Sequence, residues 1–151
     1  RRESVVADLA SLGLRSALRS DPGNSPANPD VFLIDSTGEL AAWQSLATVV
    51  VIGKSFLAVG GQNPAEAIAC GVPVITGPHM ENFAGVSALL VDAGAMIMLA
   101  DASPLAATLS QLLGDLPRRH LMGSAGQQVV ADNRDALQTL RDLIARQLRD
   151  E

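Results

Sequence analysis

Short aliphatic runs that alternate with helical segments are the feature that most constrains the fold of this chain. The runs that read as buried strands are VFLID at 31–35, TVVVIG at 48–53, PVITG at 73–77 and AMIMLA at 95–100. Strands that are apolar throughout are typical of parallel sheets covered on both faces. Their alternation with helices predicts right-handed βαβ units. We therefore predict an α/β fold, a Rossmann-like parallel sheet flanked by helices on both faces.

The remaining segments complete a single predicted domain over residues 1–151. LRSAL at 14–18 is a further short strand candidate, and 53–63 is predicted as a loop. Apolar residues at helical spacing predict helices at 3–13, 37–47, 64–70, 82–94, 103–113, 118–131 and 134–149. The last of these carries an apolar stripe formed by Leu137, Leu140, Ile144 and Leu148, which we expect to pack against another surface.

The composition excludes several classes of protein. Hydrophobic residues make up 48% and aromatic residues 3% of the chain, so the core must be mainly aliphatic. A net charge of −5 argues against a duplex nucleic-acid surface, which needs a basic face. A nucleotide is still compatible, because one phosphate needs only local donors. Cys70 is the only cysteine, and we expect it to be a buried apolar residue on the inner face of a helix.

No secretory signal is recognisable, and no apolar run approaches the length of a membrane span. We therefore expect this chain to be soluble and to make no membrane contact itself. It opens in a helix with no strand before it, whereas α/β domains of this kind usually begin on a central strand. We expect it to be part of a longer protein and to lack the first strand of its own sheet.

Three loops should leave the carboxyl ends of strands, at 35–39, 53–64 and 77–82, and each carries glycine followed by a helix start. Open parallel sheets bind ligands in the crevice beyond these strand ends. Helix starts reached through glycine-rich loops are common binding places for phosphates and other anions. The three loops together therefore predict an anion or nucleotide site.

Lys54 and the glycine pair each allow two interpretations. GKS at 53–55 is not a phosphate-binding P-loop, because position 48 is threonine where that motif requires glycine. Lys54 is the only lysine, and either contacts an anion or is simply solvated. Gly60 and Gly61 permit a positive φ, which serves either a close approach of the backbone to a ligand or a plain tight turn.

The polar residues at predicted helix starts also have structural explanations. Asn63 and Glu66 fit the N-cap and third positions of a capped helix with Pro64 between them. In a competing interpretation, the Glu66 carboxylate accepts hydrogen bonds from a ribose diol. Glu39 in a first helical turn stabilises the helix dipole without any ligand, and Asn82 reads first as an N-cap.

His79 reads as an ordinary loop histidine. No Ser/His/Asp arrangement and no metal-ligand cluster occurs at a useful spacing.

Four segments, DSTGEL (35–40), IGKSF (52–56), GGQNPAEAIACGVPVITGP (60–78) and NF (82–83), resemble the 3-deoxy-D-manno-octulosonic acid (Kdo) transferases in order and spacing. The resemblance extends from about residue 3 to residue 146. The combination of the Gly-Gly-x-Asn-Pro-x-Glu block with the Gly-x-Pro-Val-x-x-Gly-Pro block is fairly specific. Either block alone would fit many nucleotide-sugar transferases.

This resemblance implies the C-terminal, donor-binding half of a GT-B glycosyltransferase. The family transfers Kdo from CMP-Kdo to a lipid A precursor at the cytoplasmic face of the bacterial inner membrane, without a metal on the donor and without a cofactor. Carried over by motif, Gly38 and Glu39 would face CMP. Gly60 and Gly61 would lie near its phosphate, and Asn63 and Glu66 would contact the nucleotide. Lys54, Ser55 and Asn82 complete the candidate substrate-binding set.

The chain departs from the family pattern in some places. Many members have glycine where Lys54 stands and histidine where Gln62 stands. The family's catalytic glutamate and its acceptor site belong to the N-terminal half, so this chain carries no catalytic residue and reaches lipid A precursor only through that half. Two alternatives stay open. One is a GT-B transferase that uses a nucleotide-diphosphate sugar, and the other is a non-enzymatic nucleotide-binding module.

Overall fold

The predicted strands all form, and they are distributed over two sheets. The computed structural model describes residues 2–147, with side chains described as far as residue 133. The chain divides into two units, Arg1–Leu40 and Ala41–Glu151. Both sheets are parallel, as the apolar runs indicated, with two strands in one and three in the other. The expectation of one domain over 1–151 stays a prediction.

The first unit contains a pair of parallel strands that are joined without an α-helix between them. Helix α1 (Arg2–Ser11) leads into β1 (Ser16–Leu18), and a 3₁₀ turn at Pro22–Asn24 precedes β2 (Val31–Leu33). The strands pair in parallel with Ala17 opposite Phe32. Short parallel strands need a crossover connection, and here the turn-rich segment 19–30 supplies it.

An ion pair in the first unit joins Arg15, just before β1, to Asp30, just before β2. The Arg15 guanidinium donates from Nε to Oδ2 of Asp30 at 2.9 Å and from Nη2 to Oδ1 at 3.0 Å. The backbone N–H of Arg15 donates to the same carboxylate at 2.9 Å. The side-chain hydrogen bond from Arg15 is the main cause that lowers the pKa of Asp30 to about 2 from its usual 3.8.

The second unit is a three-stranded parallel sheet with helices on both faces. Its elements are α2 (Leu40–Ser45), β3 (Val50–Ile52), α3 (Lys54–Leu57), α4 (Ala65–Ala69), β4 (Val74–Thr76), a 3₁₀ turn (Glu81–Phe83), α5 (Ala84–Asp92), β5 (Met96–Met98), α6 (Leu105–Gly114) and α7 (Leu116–Gln147). The strand order is β3-β4-β5. The central strand β4 is fully buried.

Alternate residues of the central strand enter two different hydrophobic cores. Val74 packs with Ile68 of α4 and Leu90 of α5 on one face of the sheet. Ile75 packs with Leu112 of α6 and Met122 of α7 on the other face. Because side chains alternate across a strand, burial of both faces requires the continuous apolar run PVITG. The fold prediction of helices on both faces of a parallel sheet is therefore correct for this unit.

Several local predictions are wrong. Residues 54–57 form helix α3 where only a loop was expected, since Ser55 and its neighbours turn back over the sheet. The helices predicted at 118–131 and 134–149 form one helix, α7, because positions 131–133 have no glycine or proline that would end it. The apolar stripe from Leu137 to Leu148 lies outside the residues whose side chains are described.

The prediction for Cys70 is also wrong, because it is exposed rather than buried. Helix α4 ends at Ala69, and Cys70 is its C-cap, followed by Gly71 at φ +75°. The inner face of the helix is formed by Ala67 and Ile68, each 1% exposed. The thiol therefore lies past the part of the helix that the sheet covers.

We predict that the Asp30 carboxyl titrates near pH 2 because Arg15 holds it ionised. A lowered pKa means that the ion pair is complete above the usual pKa of 3.8 and is lost as the pH falls from there towards about 2. Carboxyl ¹³C chemical shifts followed by NMR measure this directly. Arg15→Gln should move the titration back towards 3.8, and Arg118→Gln, at an exposed arginine on α7, should leave it unchanged.

We also predict that Gly123→Ala destabilises the protein. A β-carbon at this position of α7 would collide with the carbonyl oxygen of Gly71 in the turn after α4. Overpacking of this kind typically costs about 1–3 kcal/mol, measurable as a lower free energy of unfolding in urea. The matched control is Gly85→Ala in α5, where a β-carbon meets nothing within 4 Å and alanine should stabilise the helix slightly. Equal effects of the two substitutions would contradict the close contact.

Candidate functional site

Ser55 joins the two loops that leave the carboxyl ends of β3 and β4. Its side chain is fully buried, and its hydroxyl donates to the carbonyl of Ile52 at 2.5 Å. The same oxygen accepts the backbone N–H of Gly77 at 2.7 Å. The carbonyl of Ser55 accepts the N–H of His79 at 3.0 Å. Ser55 was a candidate ligand residue, and the structure gives its hydroxyl this structural role instead of a place on the surface.

The loop after β4 approaches α3 so closely that only glycine fits at its start. A β-carbon on Gly77 would lie 2.5 Å from the carbonyl oxygen of Ser55 and 2.7 Å from the ring of Phe56. The glycine that opens the GPHMEN segment at 77–82 is therefore explained by its close packing against α3. Together with the hydroxyl bridge, this contact fixes loop 77–82 over loop 53–64.

Gly60 and Gly61 adopt the positive φ that the sequence suggested, at +99° and +59°. A β-carbon on Gly61 would lie 2.6 Å from Sδ of Met80 and 2.8 Å from the carbonyl oxygen of His79. Gly61 is thus needed for contact with the neighbouring loop. Its proximity to a phosphate stays a prediction.

A carboxylate from the neighbouring loop contacts the backbone of Gly60. Oε2 of Glu81 accepts the Gly60 N–H at 2.7 Å, and Oε1 lies 3.2 Å from Nδ1 of His79. The hydrogen bond from Gly60 is the first cause that lowers the pKa of Glu81 below its usual value. Sequence reasoning missed Glu81. The signal available was its position beside Asn82 after a strand end.

Two further donor groups lie beside Gly60. A β-carbon built on this glycine would be 2.8 Å from Nδ2 of Asn82 and 3.7 Å from Nζ of Lys54. An amide N–H, a side-chain amide and the lysine ammonium therefore converge within a few ångströms. This combination is suited to an oxyanion, because hydrogen bonds to charged groups are among the strongest that proteins make.

The interpretation of Asn82 as an N-cap is wrong. The segment Glu81–Phe83 is a 3₁₀ turn, α5 begins only at Ala84, and no side chain caps it. Phe83 packs on the core of the second unit. The 3₁₀ turn that contains it begins at Glu81, one residue before the predicted start of the helix. The Asn82 side chain is thereby directed to Gly60 and not to the helix end.

At the start of α4, the two competing roles fall to different residues. Oδ1 of Asn63 accepts the N–H of Ala65 at 3.0 Å, as a capping side chain does, although the N-cap itself is Pro64, one residue later than predicted. The Glu66 side chain is exposed, and within the described part of the chain its carboxylate makes no hydrogen bond or ion pair. The second half of a capping box is therefore missing, and Glu66 is available for a ligand.

Gly38 and Glu39 belong to the first unit. Gly38 has φ +83°, so it needs glycine, and Glu39 accepts from Ser36 Oγ at 2.7 Å and from Arg19 Nη2 at 3.1 Å. Both lie after the carboxyl end of β2, as predicted. The two loops of the second unit meet at one end of their sheet. The convergence of the third loop with them stays a prediction.

A cleft of about 370 Å³ opens at this end of the second unit, lined mainly by apolar atoms of Pro78, Met80 and Met98, with Glu81 at its edge. Another of about 420 Å³ lies at the opposite end, where Thr48 and Pro73 precede β3 and β4. Ligands of open parallel sheets bind at the carboxyl ends, so the candidate site is that end of the sheet, beside the first cleft, whose lining includes Glu81 but not Lys54, Gly60 or Asn82.

Two kinds of feature are absent from the part of the chain that the structure describes. No group of three or more histidine, cysteine or acidic side chains could hold a metal ion. No described helix has the length and apolarity needed to cross a bilayer.

No protein-family model matches the chain. Over 145 residues, or 95% of the chain, it is 36% identical to a 3-deoxy-D-manno-octulosonic acid transferase of Haemophilus influenzae. It is 35% identical over the same share to that of Bordetella pertussis. These matches cover 34% of each relative, so the chain spans about a third of the length of the curated relatives it matches.

Solved structures agree with these relatives. The C-terminal CMP-Kdo binding domain of WaaA from Acinetobacter baumannii is similar at a TM-score of 0.78 and 28% identity, covering 85% of this chain and 67% of that one. A C-terminal domain of a group 1 glycosyl transferase (LpcC) from Francisella tularensis has a TM-score of 0.57 at 17% identity, which shows the fold alone. The resemblance to the Kdo transferases and the GT-B type of fold are thereby confirmed.

We predict that Ser55→Ala destabilises the protein and loosens the site. The substitution leaves the buried Gly77 N–H without its acceptor, which typically costs about 1–3 kcal/mol. Urea unfolding measures the loss, and amide hydrogen exchange should increase at Gly77 and His79. Ser110→Ala, an exposed serine of α6, is the control and should change neither. Unchanged exchange at Gly77 in Ser55→Ala would show that the hydroxyl does not hold the loops together.

Proposed function

We propose that this chain is the donor-binding domain of a Kdo transferase, which transfers Kdo from CMP-Kdo to a lipid A precursor in lipopolysaccharide biosynthesis. The observation that carries the proposal is the convergence of the Gly60 N–H, the Lys54 ammonium and the Asn82 amide at the carboxyl end of the sheet. The similarity to named Kdo transferases over 95% of the chain supports the same conclusion.

The converging donors are suited to the phosphate of CMP. In the transfer, the bond between the anomeric carbon of Kdo and the phosphate oxygen breaks, and negative charge develops on the departing CMP. Fixed donors directed at that charge stabilise the transition state more than the ground state. Gly60, Lys54 and Asn82 would perform this role, with Ser55 and Gly61 holding the two loops in register.

Glu66 is the proposed ribose ligand. Its carboxylate is exposed, and no described group contacts it, so both oxygens can accept from the 2′- and 3′-hydroxyls of the nucleotide. Asn63 would keep α4 capped while its Nδ2 remains available to the ligand. For Gly38 and Glu39, which belong to the first unit, contact with the nucleotide stays a prediction that rests on the resemblance alone.

The chain supplies binding and leaving-group stabilisation but no base. Inverting transfer needs a group that takes the proton of the acceptor hydroxyl, and we assign that group to the N-terminal half of the complete transferase. Domain closure would bring base and donor together and exclude water. The acceptor would reach the site from that half at the cytoplasmic face of the inner membrane. That no metal joins the donor stays a prediction.

We predict that Glu66→Gln weakens CMP binding and removes discrimination for the ribose diol. With a carboxylate paired to two hydroxyls, the protein should bind CMP about tenfold or more tightly than 2′-deoxy-CMP, because hydrogen bonds to charged groups contribute about 1.5–3 kcal/mol. Isothermal titration calorimetry measures both affinities. In Glu66→Gln the two ligands should bind with similar, weaker affinity.

The control for this experiment is Glu3→Gln, the same chemical change at an exposed residue of α1, which should leave both affinities unaltered. Equal binding of CMP and 2′-deoxy-CMP by the unsubstituted protein would exclude Glu66 as the ribose ligand. Titration with UDP tests the alternative of a nucleotide-diphosphate sugar donor, since UDP should bind more weakly than CMP here. Failure of the unsubstituted protein to bind either nucleotide would contradict the proposed donor-binding function.

A further inference from the structure

The contact between Glu81 and Gly60 places a negative charge on a proposed phosphate donor. The hydrogen bond is short, 2.7 Å from the backbone nitrogen to Oε2. It joins two loops 21 positions apart in sequence, so it is not a local turn contact. A carboxylate and a phosphate both offer anionic oxygens to an N–H group, and one N–H of this kind cannot serve both well.

The surroundings of the carboxylate belong to the same site. Its second oxygen lies 3.2 Å from Nδ1 of His79, and the next residue, Asn82, presents its Nδ2 towards Gly60. The Lys54 ammonium lies 3.7 Å from where a β-carbon on Gly60 would be, and among the described residues it makes no ion pair with Glu81. The carboxylate therefore lies among the donors that a phosphate would use, held by one of them.

We propose that Glu81 is an internal ligand of the donor site: its carboxylate holds the Gly60 amide until the phosphate of the nucleotide displaces it. This inference rests on the proposed function, since it needs a phosphate that binds at Gly60. Binding then exchanges one anion for another at the same N–H. The cost of displacing Glu81 lowers the affinity for every phosphate ligand, and the side chain controls how readily the site is occupied.

A purely structural brace between the two loops is the competing explanation, and it predicts the opposite result. If Glu81 only held Gly60 in position, removing the side chain would loosen the loop and weaken nucleotide binding. If Glu81 competes with phosphate, removing its charge strengthens binding. Glutamine keeps an oxygen that can accept the N–H but has no charge, and alanine has neither, so the pair separates the two explanations.

The test is the affinity for CMP of the unsubstituted protein, Glu81→Gln, Glu81→Ala and the control Glu3→Gln, measured by calorimetry at neutral pH. We expect CMP to bind about three- to tenfold more tightly to both Glu81 variants, the range for loss of a partly exposed, charge-assisted contact. Glu3→Gln, which makes the same change in net charge, should bind CMP as the unsubstituted protein does.

The Gly60 amide resonance reports the contact independently of affinity. In ¹H–¹⁵N spectra it should move upfield in Glu81→Ala, because the carboxylate no longer accepts it, and CMP should shift it in both proteins. CMP binding that is unchanged or weakened in both variants would overturn the proposal while leaving the proposed function intact. Absence of CMP binding in all four proteins would overturn both.

Discussion

The hydroxyl of Ser55 is the interaction on which the geometry of the site depends. It lies at 0% exposure between the carbonyl of Ile52 at the end of β3 and the N–H of Gly77 at the end of β4. This buried hydroxyl forms hydrogen bonds with one acceptor and one donor that the sheet itself leaves without partners. A buried N–H without an acceptor would lower the stability of the fold. The two strand ends are thereby joined by a short and rigid connection.

The glycines of this region are needed for the same reason. Gly77 has backbone and an aromatic ring where its β-carbon would lie, and Gly61 has the backbone of the neighbouring loop. Contact between these loops fixes the backbone positions from which Lys54, Gly60 and Asn82 present their donors. A preorganised set of donors can stabilise developing charge without reorganising during the reaction, so loop packing is directly linked to the proposed chemistry.

Sequence reasoning identified the architecture, because it follows from local and repetitive signals, whereas the placement of the site at the carboxyl end of the sheet stays a prediction. A continuous apolar run such as 73–77 is typical of a strand buried on both faces, and strand ends are where ligands of such sheets bind. The errors arose where tertiary contacts override local preference. Asn82 is a residue type that commonly caps helices, but its side chain is directed to Gly60. Cys70 continues the spacing of the buried residues of α4, but the helix ends before it.

The partner of Glu81 is a backbone N–H at Gly60, and a backbone group leaves no trace in residue identity, so the only signal in the sequence was the position of Glu81 beside Asn82 after a strand end. The contact also bears on the proposed anion site, because the chain is acidic, with a net charge of −5 and a single lysine. The donors at Gly60 and Asn82 carry no formal charge, and the Glu81 carboxylate accepts the buried Gly60 N–H. An anionic ligand must then exceed the stability of that internal contact. In the proposed exchange, the affinity for an anionic ligand is therefore set by the difference in stability between the Glu81 contact and the phosphate contact at the Gly60 N–H.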